Sequence, residues 1–194
     1  MRKEKYFSVN IDLIGSIMTE ALNSNESLAS RIRDSLCTVD ELESLVGTSV
    51  EIDRLIASSK RAGADTLKKL SYSSDDITRE CVTGNPNTPL EILNNLADEY
   101  PRAFLLNPAF DLVILENPGF LENLYESSLA KILEQKECPQ SIVVWAYNFY
   151  KKRNSFSSSV LKGVVKNPHT PVKMINAILR LDTGVEITCE EGLL

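Results

Sequence analysis

The segment Asn85-Pro86-Asn87-Thr88-Pro89 returns 82 residues later as Asn167-Pro168-His169-Thr170-Pro171, and the same apolar spacing follows both copies. A chain that repeats itself at this scale is built from stacked units, each covering the next. Each threonine reads as a helix N-cap whose hydroxyl accepts from the first free backbone N–H groups. The proline then takes the first helical position, where no N–H is needed. Counting from Thr88, the residues at +4, +5, +8 and +9 are Ile92, Leu93, Leu96 and Ala97; from Thr170 they are Met174, Ile175, Ile178 and Leu179. In Gln135-Lys136-Glu137-Cys138-Pro139, Cys138 takes the cap position and the same offsets give Ile142, Val143, Ala146 and Tyr147. Such spacing is one buried stripe on a helix of 3.6 residues per turn.

A short helical pattern also precedes each turn, since Val82, Ile132 and Val164 each stand three residues before the Asn or Gln. The residue before proline is pushed out of helical geometry, which ends the first helix and sets the corner. The spacing predicts an all-α fold, an α-solenoid of about six short two-helix repeats, each of about 25 residues. Going backward from Thr88, that step lands near Gly63 and on Thr38, which opens a capping box with Glu41. Asn107-Pro108 and Asn117-Pro118 mark a degenerate unit whose helix, around Leu112, Ile114 and Leu115, is cut to two turns or fewer. The irregular stretch 100–108 is expected to bend the axis and open a cleft. Residues 1–36 read as an N-terminal helical cap, with Val9, Leu13, Ile17, Met18 and Ala21 on one helix and Leu28, Ile32 and Leu36 on a second. Residues 37–182 form the solenoid and 183–194 an acidic C-terminal tail.

Asn-Pro-Asn-Thr-Pro followed by Leu-Glu-Ile-Leu-Asn-Asn-Leu-Ala resembles the leucine-rich repeat variant, a bacterial repeat of about two dozen residues that stacks as a right-handed superhelix. The likeness covers residues 77–100, 129–148 and 159–182. It implies an α-helix alternating with a 3₁₀ or second short helix, and no catalytic residues. Some relatives carry an N-terminal iron–sulfur segment of clustered cysteines; residues 1–36 supply no such cluster, so that function is not carried over.

With 43% hydrophobic residues in 194, the chain can bury a continuous core. No run of eighteen apolar residues is present, which predicts no membrane span, and Glu4, Asn10 and Asp12 interrupt any secretory leader. A cytoplasmic protein is expected, with its four widely separated cysteines reduced. His169, the sole histidine, holds the turn position of Asn87 and has no partner in the sequence for a triad or metal site. Its eight glycines are isolated and form no phosphate loop. Asp75 and Asp76 suit a helix N-terminus, and Ser157 to Ser159 a loop and cap. No catalytic, cofactor or metal site is therefore expected.

Charge is the asymmetric feature. Between Cys138 and Leu181 lie Lys151, Lys152, Arg153, Lys162, Lys166, Lys173 and Arg180, and none of the chain's 27 acidic residues. In a stack, charge segregated in sequence becomes charge segregated in space, which predicts one basic end. The register gap from Cys138 to Thr170 falls around Tyr147 to Ser159 and predicts an inserted loop of interleaved aromatics and cations, with Trp145 just upstream. Trp145, Tyr150, Lys151, Lys152, Arg153, Lys162, Lys166 and Lys173 are the candidate partner-binding residues. A protein or peptide partner is the first reading; sequence-independent nucleic-acid binding through the cations is the second, against which a pI near 5.0 weighs. The structural alternative places Tyr147 in the core, uses Phe149 and Phe156 to anchor the loop, and leaves the lysines as solvated surface.

Overall fold

The computed structural model describes Ser24 and residues 26–153 and 157–180. All regular structure among the described residues is helical. Helical residues 26–33 lead into α1 (Val39–Leu45), α2 (Val50–Ser58), α3 (Ala64–Leu70), α4 (Asp76–Thr83), α5 (Leu90–Leu96) and α6 (Pro101–Leu105). Next come α7 (Phe110–Glu116), a 3₁₀ turn (Leu121–Asn123), α8 (Glu126–Glu134), α9 (Gln140–Arg153), α10 (Ser158–Lys166) and α11 (Val172–Leu179). Of the expected cap, Ile32 is buried and Leu28 packs beside it, whereas Leu36 is exposed; the first cap helix and the acidic tail lie outside the described residues.

The recurring unit is a turn held by a side-chain amide. Asn85 donates from Nδ2 to the carbonyls of Ala57 (2.7 Å) and Ser59 (2.8 Å), while its Oδ1 accepts from the Asn87 N–H at 3.0 Å. Asn107 repeats this with Thr83, Asn85 and the Ala109 N–H, and Asn167 with Leu133, Gln135 and the His169 N–H. The partners lie 26, 22 and 32 residues back, at the preceding turn. Each amide therefore ties one unit's corner to the previous one. A shared short bond from the fourth to the first turn residue identifies Ser59 and Gln135 as turns of the same class (Ala62 N–H to Ser59, Cys138 N–H to Gln135). Val82, Ile132 and Val164, three residues earlier, are fully buried as the pattern requires.

Thr88 and Thr170 are not N-caps. The cap residues are Pro89 and Pro171, in extended geometry, and neither helix has a side-chain cap. Each threonine hydroxyl instead turns back and donates to the last turn of the preceding helix, Thr88 to the Val82 carbonyl at 2.6 Å and Thr170 to that of Val164. A helix end leaves such carbonyls without partners, and here the buried hydroxyl supplies them. Thr38 does form the expected capping box with Glu41, Asp75 caps α4 through the Thr78 N–H, and Ser49 caps α2. Thr38 aligns with Pro89, so Cys37 is the residue that matches Thr88. Between α1 and α2 the chain reverses at Gly47, whose φ of 82° lies in the region that glycine alone enters freely.

The stripes are buried as expected in the inner units: Ile92, Leu93, Leu96 and Ala97 on α5, and Ile142, Val143, Ala146 and Tyr147 on α9. On α5 they divide. Ile92 and Leu96 join an N-terminal core with Leu42, Ile52, Ile56 and Leu67, while Leu93 and Ala97 join a C-terminal core with Phe104, Leu129, Leu133 and Val164. The +4/+8 positions thus face backward along the chain and the +5/+9 positions forward.

One expectation about irregularity is corrected. Stretch 100–108 is regular, since α6 leads into the Asn107 turn and its amide bonds. Irregularity begins after it. Helix α7 spans seven residues, about two turns as expected, and buries only Phe110. Leu112 and Leu115 are exposed and Val113 and Ile114 half-buried, so this Leu-rich run is only partly core. Asn117 is exposed and its side chain bonds only its own helix, at Val113. Gln135 likewise donates to Lys131 of its own helix. Where the amide tie is missing, aromatic packing fills the joint: Phe104 meets Phe110 edge-on at 5.2 Å and stacks on Phe120 at 5.9 Å.

Candidate interaction surface

The register gap is taken up by helix. Tyr147 to Arg153 contain no breaker, so α9 continues through Arg153 for 14 residues where its neighbours run five to nine. This corrects the expected loop, of which residues 154–156, including Phe156, lie outside the described residues. Side chains four apart on a helix stand one above the other, and Trp145, Phe149 and Arg153 form such a column. The Trp145 and Phe149 rings stack at 5.1 Å and 22°, and the Arg153 guanidinium lies 4.1 Å from the Phe149 ring centre. Both rings are half-buried against the C-terminal core, which holds them rigid while leaving an outer edge in solvent.

Tyr150 is corrected from a contact residue to a core one. It is 8% exposed and packs edge-on against Phe149 at 5.4 Å. Burial, with the Glu126 carboxylate next in effect, pushes its hydroxyl above the ordinary tyrosine range. Tyr147 is buried too, and Lys151 lies 5.8 Å from its ring. Lys152, Lys162 and Lys173 are exposed, with no carboxylate in ion-pair range among the described residues.

Contacts between helices partly undo the charge segregation. Arg153 reaches Glu122 at 3.6 Å and Lys166 reaches Glu134 at 3.0 Å, each from the preceding unit. Arg102 pairs with Glu137 at 2.7 Å, and the hydrogen bond from its guanidinium holds the Glu137 carboxyl below its usual range against the opposing effect of burial. The basic end is therefore a mixed surface in which acids of 122–137 sit among cations of 151–166. These carboxylates were missed because they lie outside the acid-free segment; the 32-residue separation of Glu134 and Lys166, equal to the Asn167–Gln135 offset, is the signal that finds them.

His169 stands where expected, in the turn. Its Nε2 lies 3.0 Å from the Lys136 carbonyl, so that nitrogen carries the proton and donates. Asn87 makes the same bond in its turn, to Lys60 (2.8 Å) and Ala62 (3.1 Å). Cys138 is buried, which alone pushes its thiol up to about 12 and leaves it inert. Among the described residues no three His, Cys, Asp or Glu side chains converge at metal-binding separation, and no helix is long and apolar enough to cross a membrane. An open depression of about 450 Å³ lies between Val39, Arg61, Gly63 and Asn87. Its Arg61 guanidinium is already engaged by the Cys37 carbonyl at 3.4 Å.

No family model, no curated protein and no solved structure matches this chain.

Proposed function

We propose that this protein is a non-catalytic recognition module, a right-handed solenoid of leucine-rich repeat variant type whose extended α9 binds a protein or peptide partner in the cytoplasm. Support for the stack comes from the recurring amide ties and from the opposite facing of Ile92/Leu96 and Leu93/Ala97 on one helix. The handedness rests on the sequence resemblance.

The observation that carries the partner reading is the Trp145–Phe149–Arg153 column, a rigid aromatic and guanidinium surface beside Lys152. Trp and Arg in such fixed arrangements are the residue types that dominate protein interfaces. A nucleic-acid reading is weaker because Glu122 and Glu134 would stand among the phosphates. The test compares variants with matched folding by circular dichroism. Proteins retained from extract by the immobilised chain should be lost with Trp145→Ala and Arg153→Ala, which weaken a central contact by about 2 kcal/mol or some 30-fold. Lys173→Ala should retain them. Retention of an oligonucleotide that falls steeply with salt, is abolished by Lys151→Glu with Lys152→Glu, and survives Trp145→Ala would replace this reading with the nucleic-acid one.

A further inference from the structure

Two helix faces of opposite charge look outward from the same core. Residues 103–130 hold Asp111, Glu116, Glu122 and Glu126 and no lysine or arginine, the converse of the acid-free stretch that follows Cys138. On α7, Phe110, Val113 and Ile114 turn to the C-terminal core. The opposite side of the helix carries Leu112 and Leu115 at its centre, 53% and 76% exposed, with Asp111 and Glu116 at its margins. Neither acid has a cation in ion-pair range among the described residues. On α9 the arrangement recurs with the sign reversed. Trp145 and Phe149 form the centre, and Lys152 and Arg153, three and four residues past Phe149, flank it. Lys152 has no carboxylate partner among the described residues, and Arg153 reaches Glu122 only at 3.6 Å.

We infer that the partner of α9 is a second copy of this chain, whose α7 lays its acid-flanked leucines on the Trp145–Phe149–Arg153 column. This rests on the partner reading of α9 and names the partner. Within one molecule the two faces do not meet, because both point away from the core against which their helices pack. Between molecules they match in size and charge. The leucines are spaced by about 4.5 Å along their helix and the aromatic residues by about 6 Å, and each face carries the charge that the other lacks. The faces are also neighbours, since the Arg153–Glu122 contact sets the end of α9 beside the 3₁₀ turn that follows α7. A twofold axis near that contact brings α7 of each copy onto α9 of the other, so the same contact is made twice. Doubling matters because a specific interface buries about 800 Å² per partner, more than the outer face of one seven-residue helix offers. Leu106 and Tyr125, 56% and 72% exposed, add apolar surface in the segments on either side of α7.

Sedimentation of the full chain over the micromolar range should show a dimer that dissociates on dilution. Emission of Trp145, the sole tryptophan, should move to longer wavelength in step with it. Two charge-reversed variants, matched for folding by circular dichroism, make the decisive comparison. Asp111→Lys with Glu116→Lys, and Lys152→Glu with Arg153→Glu, should each weaken self-association about 100-fold, since like charges then face each other. Mixed, the two variants should dimerise with each other as tightly as the parent, because every contact of a twofold pair then joins opposite charges again. Leu115→Ser, on α7, should abolish the concentration dependence of Trp145 emission, on α9. A monomeric parent that still retains proteins from extract through Trp145 would overturn the second copy as partner and leave the α9 reading standing. A dimer that survives all of these substitutions, or a mixture that stays monomeric, would break the pairing of α7 with α9. A monomeric parent that takes up a helical lysine- and leucine-rich peptide, and loses it with Leu115→Ser, would make a foreign basic helix the occupant of α7 instead.

Discussion

The side-chain amide of Asn107 uses both N–H donors on the Thr83 and Asn85 carbonyls and its oxygen on the Ala109 N–H, all at 2.8–2.9 Å and in a buried site. No other side chain of that size offers two donors and one acceptor in this geometry. Asn107→Ala should therefore cost about 2–4 kcal/mol, since buried backbone groups lose partners that water cannot replace. Asn107→Asp should cost at least as much, because a carboxylate oxygen would then face two carbonyl oxygens. Asn117, in an identical Asn-Pro dipeptide, is exposed and its side chain bonds only its own helix, so Asn117→Ala should stay within about 0.5 kcal/mol. Urea unfolding of the three variants measures the difference, and equal effects at 107 and 117 would show the tie to be incidental. The dipeptide marks both turns in the sequence alike. What separates them is whether a preceding turn stands in reach, and only three-dimensional neighbours decide that. Ser59 hid its turn for the converse reason, as it keeps the backbone corner without the asparagine, whereas the Gln135 turn was found through the apolar spacing that follows it. Thr88 was read as a cap because its hydroxyl could accept from the helix start, but a hydroxyl both donates and accepts, and here it donates backward to Val82.

Helices α8 and α10 approach closely enough that a Cβ on Gly163 would lie 2.7 Å from the Ala130 carbonyl oxygen and 3.0 Å from the Leu133 Cβ. Elsewhere in a helix, glycine to alanine stabilises by about 0.5–1 kcal/mol. Here the sign reverses. Gly163→Ala must push two helices apart, one of them through its backbone, at a cost of about 1–3 kcal/mol. Melting should fall by about 2–4 °C for each kcal/mol, and Gly119→Ala, where the nearest atom is 4.0 Å away, serves as the neutral control. The register offset Val82, Ile132, Val164 was readable because a single buried position per helix fixes it. Helix α9 was misread because aromatic and cationic residues after a register gap suggest a loop, whereas seven residues without Gly or Pro prolong the helix at no cost. Trp145 and Arg153 kept their candidacy through that change, and Tyr150 lost it, because one further turn of helix rotates position 150 to the inner face.

Among the described residues, ion pairs join segments distant in sequence. Arg54 grips Asp75 through two bonds of 2.6 and 2.9 Å, Arg79 meets Glu99 at 2.6 Å, Lys131 meets Asp98 at 2.6 Å, and Arg102 meets Glu137 at 2.7 Å. The partners are 20 to 35 residues apart, about one unit. In each case the hydrogen bond from the cation is the main cause that holds the carboxyl below its ordinary range, and for Asp75 the Thr78 hydroxyl and N–H add to it. A carboxyl whose folded value is depressed stabilises the fold fully above the unfolded value, and that contribution drains away as pH falls toward the folded one. The protein should thus be insensitive to pH from neutrality down to about 5 and lose stability progressively below about 4. Not all pairs weigh equally. Lys131 and Asp98 are 52% and 41% exposed and screened by water, whereas Asp75 and Arg79 are each 17% exposed. Asp75 should dominate. Asp75→Asn loses the charged bond to Arg54 while its amide oxygen can still cap α4, so the variant should be less stable at pH 7 through the lost ion pair. The gap to the parent should then narrow as pH drops below 4, because protonation removes from the parent what the substitution already removed. Urea unfolding of both chains at intervals from pH 7 to 2 gives the answer, and a gap that stays constant across that range would mean the Asp75 charge does not hold the units together.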